Sequence, residues 1–333
     1  MSDIDQSDSP EQAALRAAVR DFAGRHADGS APKSVWPRLT GELGLTALAI
    51  PERHDGMGGT LAEVAIAVEE FGRVLLPVPY LSTVLAGAVL ADGAAVAFLP
   101  GIASGAVTAA FALTGGITAT GGRLSGVATH VLDGAEADLF VTRAGGALYA
   151  VRAADVAVTP VGTLDQTRSQ ATVAFRAAPA VAVAGDAGRA EELLRVLLAV
   201  ESVGAAEHCL DATVAYLKTR VQFGRPIGAF QALRHRCADL AVEVASARAT
   251  ARAAVAAAVS TPDQLPVLAP LAKRHCVDVF WHVAAEMIQL HGGIGFTWEH
   301  EAHRYLKRAK SSQLLHGTPA QLRRLVAERA GLT

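Results

Sequence analysis

Two stretches decide how this chain reads: Arg220-Val-Gln-Phe223-Gly-Arg-Pro-Ile-Gly-Ala-Phe-Gln231 and Gln289-Leu-His-Gly292-Gly293-Ile-Gly-Phe296-Thr297. Each is a short glycine-bearing run at the end of a long helical pattern. Amphipathic helices are predicted from Glu191 to Arg220, from Gln231 to about Ser260, from Leu265 to His291, and finally from Ala320. Trp281, Phe280 and Met287 fall on the helix before the second glycine run and are expected in its core.

Further toward the N-terminus the texture changes. Short β-rich pieces (Thr108 to Leu113, Arg123 to Leu132, Leu139 to Arg143, Ala147 to Val151, Ala171 to Phe175) are separated by Gly pairs and Asp. Asp133-Gly134 reads as a hairpin turn, and Asp165 through Arg168 as a loop ahead of the final strand. From Pro10 to about Ala91 the pattern is helical again. Leu15, Val19 and Phe22 share one face there, a second stretch runs from Thr60 through Phe71, Pro51 through Gly59 is a loop, and Pro77 and Pro79 end a helix. The order helical, β, helical predicts an α+β chain with domains at residues 1–95, 96–184 and 185–333.

Composition narrows the function classes. With 30 basic and 32 acidic residues interspersed along the chain, there is no basic stripe to displace phosphate counterions, so nucleic acid is not an expected partner. The Ala/Val-rich stretches are broken by Gly, Asp and Arg before they could span a bilayer. Cys209, Cys237 and Cys276 are too scattered for a disulfide framework or a zinc site, and the N-terminus MSDIDQSDSP is acidic where a leader would be basic, so a cytoplasmic location is expected. Glu299, His300, Glu301 and His303 lack the order and spacing of a zinc helix and read as a polar rim.

The first stretch resembles the helix-turn-helix signature of the acyl-CoA dehydrogenases, and the second resembles that family's glycine-rich flavin signature. Glu42-Leu-Gly-Leu45, Pro51-Glu52, Gly58-Gly59, Glu69-Glu-Phe-Gly-Arg73 and Ala135-Glu-Ala-Asp138 extend the resemblance over nearly the whole chain. It implies the family's fold, with an N-terminal helical domain, a middle β domain and a C-terminal four-helix bundle. It also implies FAD as cofactor, an acyl-CoA thioester as substrate and an electron-transfer flavoprotein as acceptor. Arg220 suits a doubly charged pyrophosphate because a guanidinium offers a planar, permanently charged fork of donors. Gly292 and Gly293 remove side chains where a backbone must approach the dinucleotide, Gln231 and Gln289 offer amide groups, and Phe223 a flat apolar surface near the adenine. In the family these groups serve the neighbouring subunit's FAD.

The chain also departs from the family. Where the family carries its catalytic glutamate, the matching stretch reads Leu314-Leu-His316-Gly317-Thr318, so His316 stands at the position of the base. A base is needed there because the weakly acidic α-proton of the thioester must leave as hydride passes from the β-carbon to the flavin. The alternative family position falls on Leu194; Glu191, Glu192 and Glu201 on the same helix read as surface charges. The family's flavin-covering loop is reduced to Gly115-Gly116-Ile after Phe111-Ala-Leu-Thr114, and the ring-facing strand reads His130-Val131-Leu132. These losses resemble the short, base-less subunits of heteromeric actinobacterial steroid-CoA dehydrogenases, which implies an α2β2 heterotetramer with a catalytic partner subunit that supplies the glutamate. Two alternatives stay open: a self-sufficient homo-oligomer with His316 as base, and a purely structural subunit.

Overall fold

The structure is a computed structural model describing residues 8–27 and 32–332; the acidic stretch Met1 to Ser7 lies outside the described residues. Five helices open the chain: α1 (Pro10–Arg25), α2 (Pro32–Leu43), α3 (Leu61–Arg73), α4 (Tyr80–Val89) and the short α5 (Leu99–Ala103). Thr60 and Glu63 cap α3 reciprocally, satisfying amide donors that a helix start leaves open, and Ser9 with Gln12 does the same for α1. Val19 and Phe22 of α1 are fully buried, with Leu15 packed beside them. Helix α3 ends at Arg73, so Pro77 and Pro79 lie beyond it, in the connection to α4, and do not themselves terminate it.

Two four-stranded sheets follow. Strands β1 (Ala109–Ala112), β4 (Leu139–Ala144), β5 (Ala147–Arg152) and β8 (Val181–Val183) form one, in the order β1-β4-β5-β8; β2 (Gly116–Thr120), β3 (Arg123–Leu132), β7 (Gln170–Pro179) and β6 (Ala157–Pro160) form the other, in the order β2-β3-β7-β6. The β1–β4 pairing is parallel and the others are antiparallel. Strand β1 shows how they are buried: Ala110 and Ala112 join Leu124, Phe140, Val173 and Phe175 in the core of the β domain, while Ala109 and Phe111 turn to the helical core. The sequence reading omits β2, β6 and β8, each an edge strand.

Two turn assignments need correction. Asp133-Gly134 does not close a hairpin, because β3 and β4 belong to different sheets and the chain crosses between them at this point. Asp133 sits there at φ 59 with its carboxylate buried, accepting from the Ser82 hydroxyl at 2.9 Å. Burial, opposed by Ser82 and the Arg168 and Arg308 cations, raises its pKa to about 6. Strand β7, which follows Arg168, is not the last, since β8 comes after it.

The C-terminal part is a bundle of α6 (Ala187–Thr219), α7 (Gln231–Ser260), α8 (Leu265–His291) and α9 (Ala302–Leu314), followed by α10 (Pro319–Arg329). Helices α7 and α8 have the expected bounds; α9 is absent from the sequence reading. Helix α6 lies against α3, α7 and α8, and its segment from Leu193 to Ala206 is nearly all buried. It crosses α3 closely because Gly72 and Gly204 oppose the partner backbone: a Cβ at Gly204 would collide with the Glu69 carbonyl, and one at Gly72 with that of Glu201. Gly204→Ala should therefore destabilise the fold by about 1–3 kcal/mol, the range for overpacking a rigid contact. A thermal midpoint equal to the wild type would show that the crossing has slack.

Candidate functional site

Helix α7 runs antiparallel to α6 and α8, as the Arg236–Glu286 and His282–Glu243 pairs between α7 and α8 and the Tyr216–His291 stack between α6 and α8 require. The C-termini of α6 and α8 and the N-terminus of α7 therefore share one end of the bundle. All six residues singled out for FAD lie there. Arg220 ends α6, its N–H donating to the Tyr216 carbonyl at 2.9 Å and its own carbonyl accepting from the Ile227 N–H at 2.8 Å. A two-residue turn then reverses the chain between β9 (Val221–Gln222) and β10 (Arg225–Pro226). Phe223 and Gly224 have φ of 53° and 77°, the conformation of a type I′ hairpin turn.

That turn thrusts Phe223 into solvent, where its ring is 88% exposed and meets Phe230 edge-on. The Arg225 guanidinium lies 4.2 Å from the Phe230 ring centre. Arg220, Gln231 and Gln289 are exposed, and among the described residues none of their side chains has a hydrogen-bond or ion-pair partner. Gly292 follows the last residue of α8 at φ 64, and neither it nor Gly293 has an atom within 4 Å of where a Cβ would stand. The left-handed backbone explains the glycine at 292; at 293 the open space leaves the backbone free to be approached from outside. An unpaired guanidinium, two free amides, an exposed ring and a bare glycine backbone fit the pyrophosphate and adenine of FAD.

His316 is at the opposite end. It lies between α9 and α10, where its carbonyl accepts from Arg195 Nε at 3.3 Å and the next carbonyl, of Gly317, accepts from Lys273 Nζ at 2.7 Å. Arg195 and Lys273 belong to the N-terminal halves of α6 and α8. The 25 residue steps from Arg195 in α6 to its C-cap Arg220 rise about 37 Å, farther than a single flavin dinucleotide reaches. Burial, reinforced by the Lys273, Arg195 and Arg168 cations, pushes the His316 imidazole down to about 3. Burial and the same two arginines bring Lys273 down to about 7. An imidazole so depressed is a poor proton acceptor.

The glutamates of α6 are not surface charges. Glu192 is buried and receives Arg195 at 3.3 Å and Arg329 at 2.5 Å; Glu191 is half-buried beside Arg195 and Arg143. Glu201 pairs with both Arg168 and Arg308, and Arg308 also reaches Asp165 at 3.1 Å. Burial alone would raise the Asp165 carboxyl, but Arg308, Arg168 and the Thr167 hydrogen bonds outweigh it and hold it below its usual range. These four side chains fill the space between the loop before β7, α6 and α9. The sequence reading missed them; only the conspicuous arginines of Asp165 through Arg168 and of α9 could have signalled them. Leu194, at the alternative base position, is core, and Cys209, Cys237 and Cys276 are free thiols. In the Glu299–His303 cluster, Glu301 accepts from His208 and the His300 ring lies against that of His291. No helix is long and apolar enough to cross a membrane among the described residues.

Residues 187–331 match the family described as acyl-CoA dehydrogenase, C-terminal domain, and residues 9–106 the corresponding N-terminal domain. The chain is 40% identical over 332 residues to acyl-CoA dehydrogenase IpdE2 of Mycobacterium tuberculosis, spanning 96% of this chain and 97% of that one. It is 37% identical over 332 residues to IpdE2 of Mycolicibacterium smegmatis, with 96% and 99% covered. Among solved structures, the ChsE4-ChsE5 complex from Mycobacterium tuberculosis superposes with a TM-score of 0.89 at 26% identity, covering 99% of this chain and 100% of that one. A variant of the Tcur3481-Tcur3483 steroid ACAD gives 0.88 at 26%, with 97% and 98% covered.

The buried His316 sets a pH dependence. Its folded pKa, about 3, lies below the ordinary 6.5, so protonation favours the unfolded chain, and the stability tied to the neutral ring is lost as pH falls from 6.5 toward 3. His316→Asn, which tolerates the φ of 50, should lose less stability than the wild type on going from pH 7 to pH 4.5. Parallel denaturation curves across that range would contradict a neutral buried imidazole.

Proposed function

The chain belongs to the acyl-CoA dehydrogenase family of FAD-dependent oxidoreductases, and on that premise we propose that it completes, in trans, the flavin site of a catalytic partner subunit in an α2β2 heterotetramer. Bound FAD supplies the hydride acceptor for α,β-dehydrogenation of a CoA thioester. The residues of this chain bind and orient. Arg220 neutralises the pyrophosphate, Gly292 and Gly293 admit the dinucleotide to the backbone, Gln231 and Gln289 hydrogen-bond to it, and Phe223 lies against the adenine. The glutamate that removes the α-proton belongs to the partner.

The observation carrying this reading is the separation along α6. The dinucleotide-binding end and the position of the base lie at opposite ends of a helix, so the six residues and His316 do not serve one flavin. Supporting it, His316 is a weak base, the flavin-covering loop is shortened to Gly115 ahead of β2, and the Glu201–Arg168–Arg308–Asp165 group occupies the neighbouring space. Two of the similar structures are two-component assemblies by their descriptions, and one of those is described as a steroid ACAD. On this basis we assign the substrate to CoA thioesters derived from steroid side chains, the acceptor to an electron-transfer flavoprotein, and the location to the cytoplasm.

The test is an absorbance spectrum and oligomer mass of the chain purified alone and co-expressed with a catalytic homologue. A colourless chain that becomes a yellow heterotetramer with one FAD per pair is expected; a chain that is yellow and active alone would overturn the proposal. Arg220→Ala should lower the flavin content of the complex at least tenfold, in keeping with a charge-assisted contact worth about 1.5–3 kcal/mol. A complex that assembles with full flavin and activity would instead make this a structural subunit.

A further inference from the structure

Arg220 and the glycine run at 292–293 come from different helices, and a set of stacked rings joins them. Tyr216, whose carbonyl accepts from the Arg220 N–H at 2.9 Å, stacks its ring on that of His291, with centres 4.4 Å and planes 28° apart. His291 immediately precedes Gly292, is buried, and donates from Nδ1 to the Met287 carbonyl at 2.7 Å. The His300 ring centre lies 4.3 Å from that of His291, and His300 Nδ1 accepts from the Ala302 N–H at 3.1 Å, satisfying the first amide of α9. Gly295 lets the intervening loop fold back on α8, for a Cβ there would meet the Ile288 carbonyl at 2.6 Å and the His291 Cβ at 2.9 Å.

We propose that His291 and His300 are positioning residues that hold Gly292 and Gly293 in register with Arg220, and that they do so only while both rings are neutral. A proton on His300 Nδ1 abolishes the bond to Ala302 and sets a cation beside His291 and against the positive end of α9. Burial, opposed by the Met287 hydrogen bond and Glu301 and reinforced by His300, holds the His291 imidazole below its ordinary range. The other groups facing the pair are Glu301, which already accepts from His208 of α6 at 2.7 Å, and His303 and Arg304 of α9; His208 in turn stacks on Tyr305. Of these Glu301 alone is acidic, and it is engaged. Because the ordered loop favours neutral rings, its hold on flavin is complete above the ordinary histidine pKa of about 6.5 and declines as pH falls below it. The inference rests on the completing-subunit reading.

Two measurements at pH 7.5 and pH 5.5 test it. The dissociation constant of FAD from the co-expressed complex, read from the fluorescence of released flavin, should rise at least about fivefold at the lower pH, since one unit below its ordinary pKa a ring that must stay neutral weakens binding by up to about tenfold. In the chain alone, amide hydrogen exchange of residues 292–296, corrected for the intrinsic rate, should accelerate over the same interval by a similar factor. His300→Asn places an amide oxygen where Nδ1 stood, able to accept from Ala302 but not to titrate, and should abolish both pH responses. His316→Asn, at the opposite end of α6, should keep them. No response in the wild type, an unchanged response in His300→Asn, or one lost in His316→Asn would each overturn the proposal. A complex that holds no FAD even at pH 7.5 would sink the completing-subunit reading instead, while the exchange measurement, which needs neither flavin nor partner, still decides whether the two rings hold the loop.

Discussion

Glu201 is gripped by two arginines from different layers: Arg168 reaches it from the loop before β7, and Arg308 from α9. Arg168 also donates to Ser312 at 3.0 Å, and Arg308 to the Thr167 carbonyl at 2.7 Å, so the buried charges have polar neighbours as well as each other. Such a group contributes little net stability over an apolar filling, but removing one member leaves an uncompensated buried charge, at a cost of about 3–5 kcal/mol. It therefore fixes how the β domain sits on the bundle. The loop from Asp165 to Arg168 is held against α9 by that docking.

The bundle repeats the theme at its periphery. Arg16 and Arg20 of α1 meet Glu69 and Glu70 of α3, and Arg248 of α7 meets Glu69 and Glu207. These pairs surround the close glycine crossing of α3 and α6, where little side-chain volume is available to hold the helices together. Charge sets the register where packing is thin. At the far end, Arg329 of α10 returns to Glu192 and the Pro266 carbonyl, tying the last helix to the starts of α6 and α8.

How much of this was legible in the sequence depends on how local the signal was. Helices α7 and α8 were readable nearly to the residue because a turn or glycine run brackets each. Helix α9 was not, although its buried positions Ala302, Tyr305, Arg308, Ala309 and Ser312 follow helical spacing; two of the five are polar, so no apolar stripe marks them. The edge strands β2 and β6 are mostly exposed and show no clean alternation. Asp133-Gly134 has the composition of a hairpin, but which sheet a strand joins is decided by distant partners. The same distance hid the glutamates: the arginines that bury Glu192 and Glu201 include residues 137 and 107 positions away. The two motifs that carry the six candidate FAD residues were legible because each is continuous in sequence, and the fold brings them to one end of the bundle.

The turn at Phe223 and Gly224 has one more consequence. Its left-handed backbone and the packing of Phe230 and Arg225 beneath it hold Phe223 outward before anything docks, so association freezes little additional motion. Phe223 is thereby left more than three-quarters exposed, as are Phe296 and Trp298 in the segment between α8 and α9. Surfaces of that kind drive self-association. Covering these three rings would therefore raise the chain's solubility at the same time as it buries apolar area.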